Sequence, residues 1–116
     1  MSDPQSRRAP ADDIDREQYL YLTSRGRKSG EPREIEIWFT HHNGRFYVIA
    51  EYETAHWLQN VRANPEVEVR VRDRRFRALA RVLSPESDLS QTIAERSRKK
   101  YGWGDGVIVE LEPSES

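Results

Sequence analysis

The clearest structural signal in the chain is the sequence Glu34-Ile-Glu-Ile-Trp-Phe-Thr-His-His-Asn-Gly-Arg-Phe-Tyr-Val-Ile-Ala-Glu51. Apolar and polar residues alternate along Glu34–His42, which is the period of a β-strand with one buried face. Asn43-Gly44 is a strong signal for a type I′ turn, because Asn and Gly adopt the positive φ that this turn requires. The sequence therefore predicts an antiparallel hairpin of Glu34–His42 and Arg45–Glu51.

Strand patterns also occur on both sides of this hairpin. Valines alternate with polar residues along Glu66–Arg72, and a tight turn at Asp73-Arg74 is predicted to lead into the next strand. The six predicted strands are Tyr19–Thr23, Glu34–His42, Arg45–Glu51, Glu66–Arg72, Arg75–Leu83 and Val107–Leu111.

Two short helices are predicted between the strands. The first covers Ala55–Ala63 with Thr54 as its N-cap, and it ends at Asn64-Pro65 because the residue before proline leaves the α region. The second follows Ser84-Pro85-Glu86, with Ser87 as a cap, and continues to about Lys100. Six strands with two inserted helices predict a mainly β (α+β) fold built as a small barrel.

Composition limits the class of protein. A chain of 116 residues is most simply one domain, which we place at residues 16–113, behind a flexible tail at residues 1–15 that is poor in apolar side chains. The absence of cysteine excludes disulfides and thiolate chemistry. No apolar segment has the length of a membrane span, so we expect a cytoplasmic protein. The formal charge of −1 argues against a nucleic-acid partner.

A basic glycine loop, Arg25-Gly-Arg-Lys-Ser-Gly-Glu-Pro-Arg33, is the strongest candidate binding site. Its glycines leave backbone N–H groups uncovered, and its cationic side chains suit a phosphate or carboxylate. The spacing is not that of a Walker A loop. A solvated turn is the other interpretation, since turns use the same residue types.

The remaining polar clusters predict little chemistry. His41 and His42 point to opposite faces of a regular strand, so they cannot bind one metal together, and no metal site is predicted. No catalytic residue is assigned. A second basic run is interpreted as a solvated or salt-bridged strand face, with single-stranded nucleic acid as the less favoured use. It contains Arg70, Arg72, Arg74, Arg75, Arg77 and Arg81.

Together, the basic loop, the hairpin and the segment Trp57-Leu-Gln-Asn-Val-Arg-Ala-Asn-Pro65 resemble the deazaflavin (F420)-dependent nitroreductase and quinone reductase family. The resemblance covers residues 19–83 and is most specific at Gly26–Arg33 and Trp57–Pro65. It implies a split β-barrel, a homodimer, and an oxidoreductase that transfers hydride from F420 to a quinone- or nitroaromatic-type acceptor. FMN is a possible cofactor instead. A non-catalytic module that carries a cofactor or small anion on the same fold is the alternative function.

The resemblance also implies a set of site residues. The matching basic positions hold the phosphate and acidic tail of the cofactor, and aromatic residues after the second helix line the substrate pocket. Expected cofactor ligands are Arg27, Lys28, Ser29, Arg33, Ala50, Glu51, Tyr52, Trp57 and Asn60, and the expected substrate-pocket residues are Tyr101 and Trp103.

The chain differs from the family after the hairpin. Many relatives have Ser-Lys followed by glycines there, whereas this chain has Glu51-Tyr52-Glu53-Thr54. Carboxylates beside an anionic cofactor are unfavourable by about 1 kcal/mol each. Three alternatives follow: Glu51 and Glu53 point away from the cofactor, Tyr52 stacks on its ring, or the preferred cofactor is a different one. For Trp57, an anchor of its helix in the core is the favoured interpretation, and Asn60 could cap that helix instead of contacting a ligand.

Overall fold

The computed structural model describes residues 14–114 of the chain. Its strands form one curled antiparallel sheet in the order β2-β1-β5-β6-β7-β4-β3. The strands are β1 (Tyr19–Arg25), β2 (Pro32–Trp38), β3 (Thr40–His42), β4 (Arg45–Ala50), β5 (Glu66–Val71), β6 (Arg74–Val82) and β7 (Val107–Pro113). The mainly β fold is therefore confirmed.

The predicted number of six strands is wrong, because the expected strand Glu34–His42 is divided at Phe39. Its first part, β2, pairs with β1 at one edge of the sheet, while β3 pairs with β4 at the opposite edge. The two edges of the curled sheet are thus joined by a single residue, whose side chain is buried. Alternation of apolar residues continues through such a break, so the pattern did not reveal it.

The predicted hairpin between Glu34–His42 and Arg45–Glu51 survives only in its inner part, β3 and β4. Asn43 and Gly44 both have positive φ at its turn. The turn after β5 lies one residue earlier than predicted, at Arg72-Asp73, and Arg72 adopts a φ of 57°.

Both predicted helices are present, as α1 (His56–Ala63) and α2 (Asp88–Tyr101), and residues 14–16 are also helical. The Ser87 cap is confirmed: its Oγ accepts a hydrogen bond from the Ser90 N–H at 3.1 Å. The Thr54 cap is wrong, because Ala55 occupies the N-cap position of α1 and no side chain caps it. The first orphan N–H groups of α1 therefore lack the help that a hydroxyl would provide.

The curled sheet has a core on each face. One face holds the larger core, which includes Leu20, Leu22, Val48, Val69 and Val109. The other face packs a smaller cluster beneath α2, formed by Tyr47, Leu83, Ile93 and Ile108. Alternation therefore sends neighbouring residues of β4 into two different cores.

The predicted tail, residues 1–15, lies largely outside the described residues. Of its last two residues, Ile14 packs in the larger core, and Asp15 lies 3.0 Å from His41.

Arginines of the β5–β6 hairpin face carboxylates. Arg70, Arg72, Arg75 and Arg81 contact Glu34, Glu17, Glu68 and Glu110 respectively. These contacts agree with a salt-bridged strand face. The pairs of Arg70, Arg72 and Arg75 are solvent-exposed and contribute about 0–1 kcal/mol each, whereas Glu110 is buried.

Candidate functional site

A cavity of about 730 Å³ opens between the basic loop, β2 and α1. Six of the nine expected cofactor ligands line this basic cavity: Arg27, Lys28, Ser29, Arg33, Trp57 and Asn60. Arg27, Lys28 and Ser29 come from the β1–β2 connection, Arg33 comes from the start of β2, and the other two come from the first turns of α1. Folding thus brings two distant sequence segments to one cavity.

Asn60 connects the two segments. Its side chain is buried, and its Oδ1 accepts hydrogen bonds from the Arg27 backbone N–H at 3.1 Å and from Arg27 Nη1 at 2.9 Å. The expected helix-capping role for Asn60 is therefore replaced by a contact with the loop. Because one amide oxygen holds both the backbone and the guanidinium of Arg27, it fixes the direction of that side chain.

The loop itself is folded by short-range hydrogen bonds. The Gly26 N–H donates to the Glu31 carbonyl at 2.8 Å, and the Gly30 N–H donates to the Gly26 carbonyl at 2.8 Å. Ser29 Oγ accepts from the Glu31 N–H at 3.1 Å, so this hydroxyl shapes the turn. A Cβ at position 26 would lie 2.8 Å from Ser29 Oγ, which explains a glycine there.

Acidic residues near the basic cavity are held by other arginines. Glu53, in the segment before α1, contacts Arg62 of that helix at 3.1 Å. Glu34 lies at the rim of the cavity, 3.7 Å from Arg70. Three alternatives were given for the segment Glu51-Tyr52-Glu53-Thr54. The first of them, in which the glutamate points away from the cofactor, therefore applies to Glu53.

The other three expected ligands lie elsewhere. Ala50 is buried in the larger core, and the Tyr52 side chain is 64% exposed. Neither lines the basic cavity. Glu51 lines a second cavity, together with Tyr47 and Ile49 of β4. The separation arises because β4 ends at Ala50 and the chain bends at Glu51 and Tyr52.

This second, aromatic cavity has a volume of about 520 Å³ and lies between α2, β2 and β4. Both expected substrate-pocket residues, Tyr101 and Trp103, line it together with Trp38. The Trp38 and Tyr101 rings are stacked, with centroids 4.4 Å apart and an interplanar angle of 5°. Trp38 was not among the site residues expected from the sequence, although a large indole on the polar face of a strand indicates a functional position.

Tyr101 also joins the two edges of the sheet. Its hydroxyl accepts a hydrogen bond from the Phe39 N–H at 3.1 Å and lies 2.6 Å from the Gln18 carbonyl and 2.9 Å from the Phe39 carbonyl. Lys100 Nζ donates to the Phe39 carbonyl at 3.1 Å. The end of α2 thus satisfies the backbone groups that the break between β2 and β3 leaves without strand partners.

A buried polar network lies beside the aromatic cavity. The Tyr47 hydroxyl donates to Glu110 Oε2 at 2.9 Å, and Arg81 donates twice to Glu110 Oε1, at 3.0 and 3.2 Å. Glu110 is 2% exposed, so these bonds replace its lost hydration. Burial, and then the bond to Glu110, raise the pKa of Tyr47 to about 12. Burial likewise raises the pKa of Tyr101 to about 12.

Because of these two tyrosines, we expect the free energy of unfolding to fall at high pH. Their folded pKa values lie above about 10, the usual value for an unfolded chain, so the fold favours the neutral phenols. Their contribution is complete below pH about 10 and is lost as the pH rises towards about 12. The free energy of unfolding, measured by urea titration across this range, should fall more steeply for the wild type than for Tyr47→Phe/Tyr101→Phe. Parallel profiles would contradict this assignment.

Within residues 14–114, no group of three or more acidic or histidine side chains is placed to hold a metal ion. Across the same residues, no helix combines the length and apolarity needed to cross a bilayer.

The Asn60→Ala substitution tests how much the contact between Asn60 and Arg27 contributes to ligand binding. Losing the acceptor frees both the loop backbone and the guanidinium, and we expect affinity for an anionic ligand of the basic cavity to fall about tenfold. Gln59→Ala is the matched control, because this amide lies on the same helix and does not line the cavity. Isothermal titration calorimetry with F420 measures the affinity of both variants. Equal affinities would show that Asn60 has no positioning role.

The chain is similar in sequence to a known family of proteins. Residues 7–103 match the family of F420H(2)-dependent quinone reductases. Two curated relatives, F420H(2)-dependent quinone reductases from Mycobacterium tuberculosis strains H37Rv and CDC 1551, are each 26% identical to the chain over 90 residues. Each alignment covers 71% of this chain, and the chain spans 60% of the length of these relatives.

Solved structures show the same fold. The haem storage protein HutZ from Vibrio cholerae superposes with a TM-score of 0.79 at 16% identity, over 95% of this chain and 91% of HutZ. An F420-H2 dependent reductase, FDR-A, superposes with a TM-score of 0.70 at 23% identity, over 82% of this chain and 94% of that protein.

Proposed function

This chain belongs to the F420H(2)-dependent quinone reductase family, and from that premise we propose that it binds F420 in the basic cavity and reduces a quinone- or nitroaromatic-type acceptor in the aromatic cavity. The observation that carries the proposal is the convergence of six expected ligands on one cavity. Three of them are cationic, and a cavity of this size suits a cofactor.

The residues present fit the anionic part of F420. Lys28 and Arg33 are exposed on the loop and supply charge-assisted donors for phosphate or carboxylate oxygens. Arg27 is already oriented by Asn60, so less conformational entropy is lost when it binds a ligand. Ser29 shapes the loop, and Trp57 offers an apolar wall. When bound, F420 supplies the hydride chemistry, and no catalytic acid or base is assigned to this chain.

The two cavities lie close enough to serve one reaction. Ile35 lines the basic cavity and Ile37 lines the aromatic cavity, on the same face of β2. Two residues of strand span about 6.6 Å. A cofactor anchored at the loop therefore needs to extend only a short distance along β2 to reach an acceptor beside Trp38 and Tyr101. Half of the residues that line that second cavity are aromatic, which suits a planar acceptor.

The family resemblance supports two further parts of the proposal. The curled sheet, with its edges joined at Phe39, corresponds to the split β-barrel of the family. A homodimer is the assembly that we propose for it, in line with the small size of the chain.

Binding and turnover measurements test the proposal. Purified protein is titrated with F420, FMN, FAD and haem by fluorescence and thermal shift, and the reduced complex is then mixed with quinones and nitroaromatics. We expect saturable F420 binding and acceptor-dependent oxidation of F420H2. Binding without turnover would favour the non-catalytic carrier, and FMN binding alone would change the cofactor. Binding of none of them would overturn the proposed function.

A further inference from the structure

The lining of the aromatic cavity contains aromatic and acidic side chains but no basic ones. Six of its twelve described lining residues are aromatic, two are glutamates, and none is Lys, Arg or His. The aromatic residues are Tyr19, Trp38, Phe39, Tyr47, Tyr101 and Trp103. Its electrostatic character is therefore opposite to that of the basic cavity, which lies further along β2.

Neither glutamate forms an ion pair within residues 14–114. Glu36 accepts a hydrogen bond from the Tyr21 hydroxyl at 2.6 Å. Glu51 is exposed. Lys100 Nζ lies beside the cavity, 5.1 Å from the centroid of the Tyr101 ring, and donates a hydrogen bond to the Phe39 carbonyl at 3.1 Å.

Aromatic faces and carboxylates attract the same kind of ligand. A ring face carries partial negative charge and binds cations, and a nearby carboxylate adds Coulomb attraction that is stronger away from bulk water. The structure already contains one example, since Lys100 Nζ lies 4.1 Å from the centroid of the Phe39 ring. A planar ring additionally stacks on Trp38, whose side chain is 37% exposed.

We propose that the aromatic cavity binds planar aromatic cations in preference to neutral or anionic rings of the same shape. Glu51 determines this preference, with Glu36 in support. The binding itself needs no cofactor; only the identification of the cation as an acceptor rests on the proposed function. The volume of about 520 Å³ accommodates a three-ring ligand.

Calorimetric titration of cofactor-free protein tests this inference. The probes are N-methylphenazinium, neutral phenazine and phenazine-1-carboxylate, which share one ring system and differ in charge. We expect the cation to bind at least about tenfold more tightly than phenazine, and the anion to bind most weakly. Glu51→Gln should reduce the preference for the cation about fivefold to tenfold. Glu53→Gln is the matched control, because Glu53 contacts Arg62 outside this cavity.

Several outcomes would overturn the proposal. Equal binding of the cation and phenazine would remove the charge preference, and an unchanged preference in Glu51→Gln would remove the assigned residue. Absence of cation binding, with light scattering showing a dimer that a Trp38→Glu variant dissociates, would show that a second copy of the chain covers the cavity. Because F420 is absent from this experiment, its failure leaves the basic cavity untested, and the failure of F420 binding leaves this result standing.

Discussion

Lys28→Ala combined with Arg33→Ala is expected to weaken F420 binding at least about 100-fold. Both side chains line the basic cavity, and both are exposed towards a ligand. Each charge-assisted hydrogen bond to an anion contributes about 1.5–3 kcal/mol, so the loss of two costs at least about 3 kcal/mol. That free energy corresponds to about two powers of ten in the dissociation constant. Fluorescence titration with F420 measures it directly.

A charge-matched control separates this effect from long-range electrostatics. Lys99→Ala combined with Arg77→Ala removes the same two charges from exposed positions outside the basic cavity. We expect its F420 affinity to remain within about threefold of the wild type at physiological ionic strength, because exposed charges beyond about 8 Å are screened. If both double variants bind F420 as well as the wild type does, the basic loop is not the cofactor site.

Tyr101→Phe is expected to lower the free energy of unfolding by about 2–3 kcal/mol. The change retains the ring that stacks on Trp38 and deletes the hydroxyl that bonds to the Phe39 N–H and lies against the Gln18 carbonyl. A partly buried N–H at the break between β2 and β3 then loses its partner, which costs about 1–3 kcal/mol, and a second bond is lost with it. Urea denaturation followed by circular dichroism measures the change.

The same chemical deletion at Tyr52 provides the comparison. This side chain is 64% exposed, so Tyr52→Phe should change stability by less than about 0.5 kcal/mol. F420 affinity should be unaffected in both variants, since neither tyrosine lines the basic cavity. A Tyr101→Phe protein as stable as Tyr52→Phe would show that water satisfies Phe39 equally well.

The sequence predicted some of the residues that line the basic cavity and misplaced others. The loop residues Lys28 and Arg33 came from local composition and resemblance, and the structure places them at one cavity with Trp57. Ala50, Glu51 and Tyr52 were expected at the cofactor because the resemblance implies that the backbone after the hairpin approaches it. β4 ends at Ala50 and the chain bends at Glu51 and Tyr52, so the three side chains lie in different surroundings.

The local sequence determined the turn, the helix cap and the helix end that it predicted. Asn43-Gly44 formed its positive-φ turn, Ser87 capped α2, and Asn64-Pro65 ended α1, since each of these effects acts over a few residues of backbone. The basic loop likewise closes through hydrogen bonds among its own residues.

The contacts that assemble the site depended on the folded chain. Asn60 lies 33 residues from Arg27, and Tyr101 lies 62 residues from Phe39, yet these pairs orient the loop and join the edges of the sheet. Glu53 turned to Arg62 rather than to the loop for a similar reason, as the position of α1 selected its partner. Periodicity reports which residues share a face of one element, whereas the packing of elements determines what that face meets.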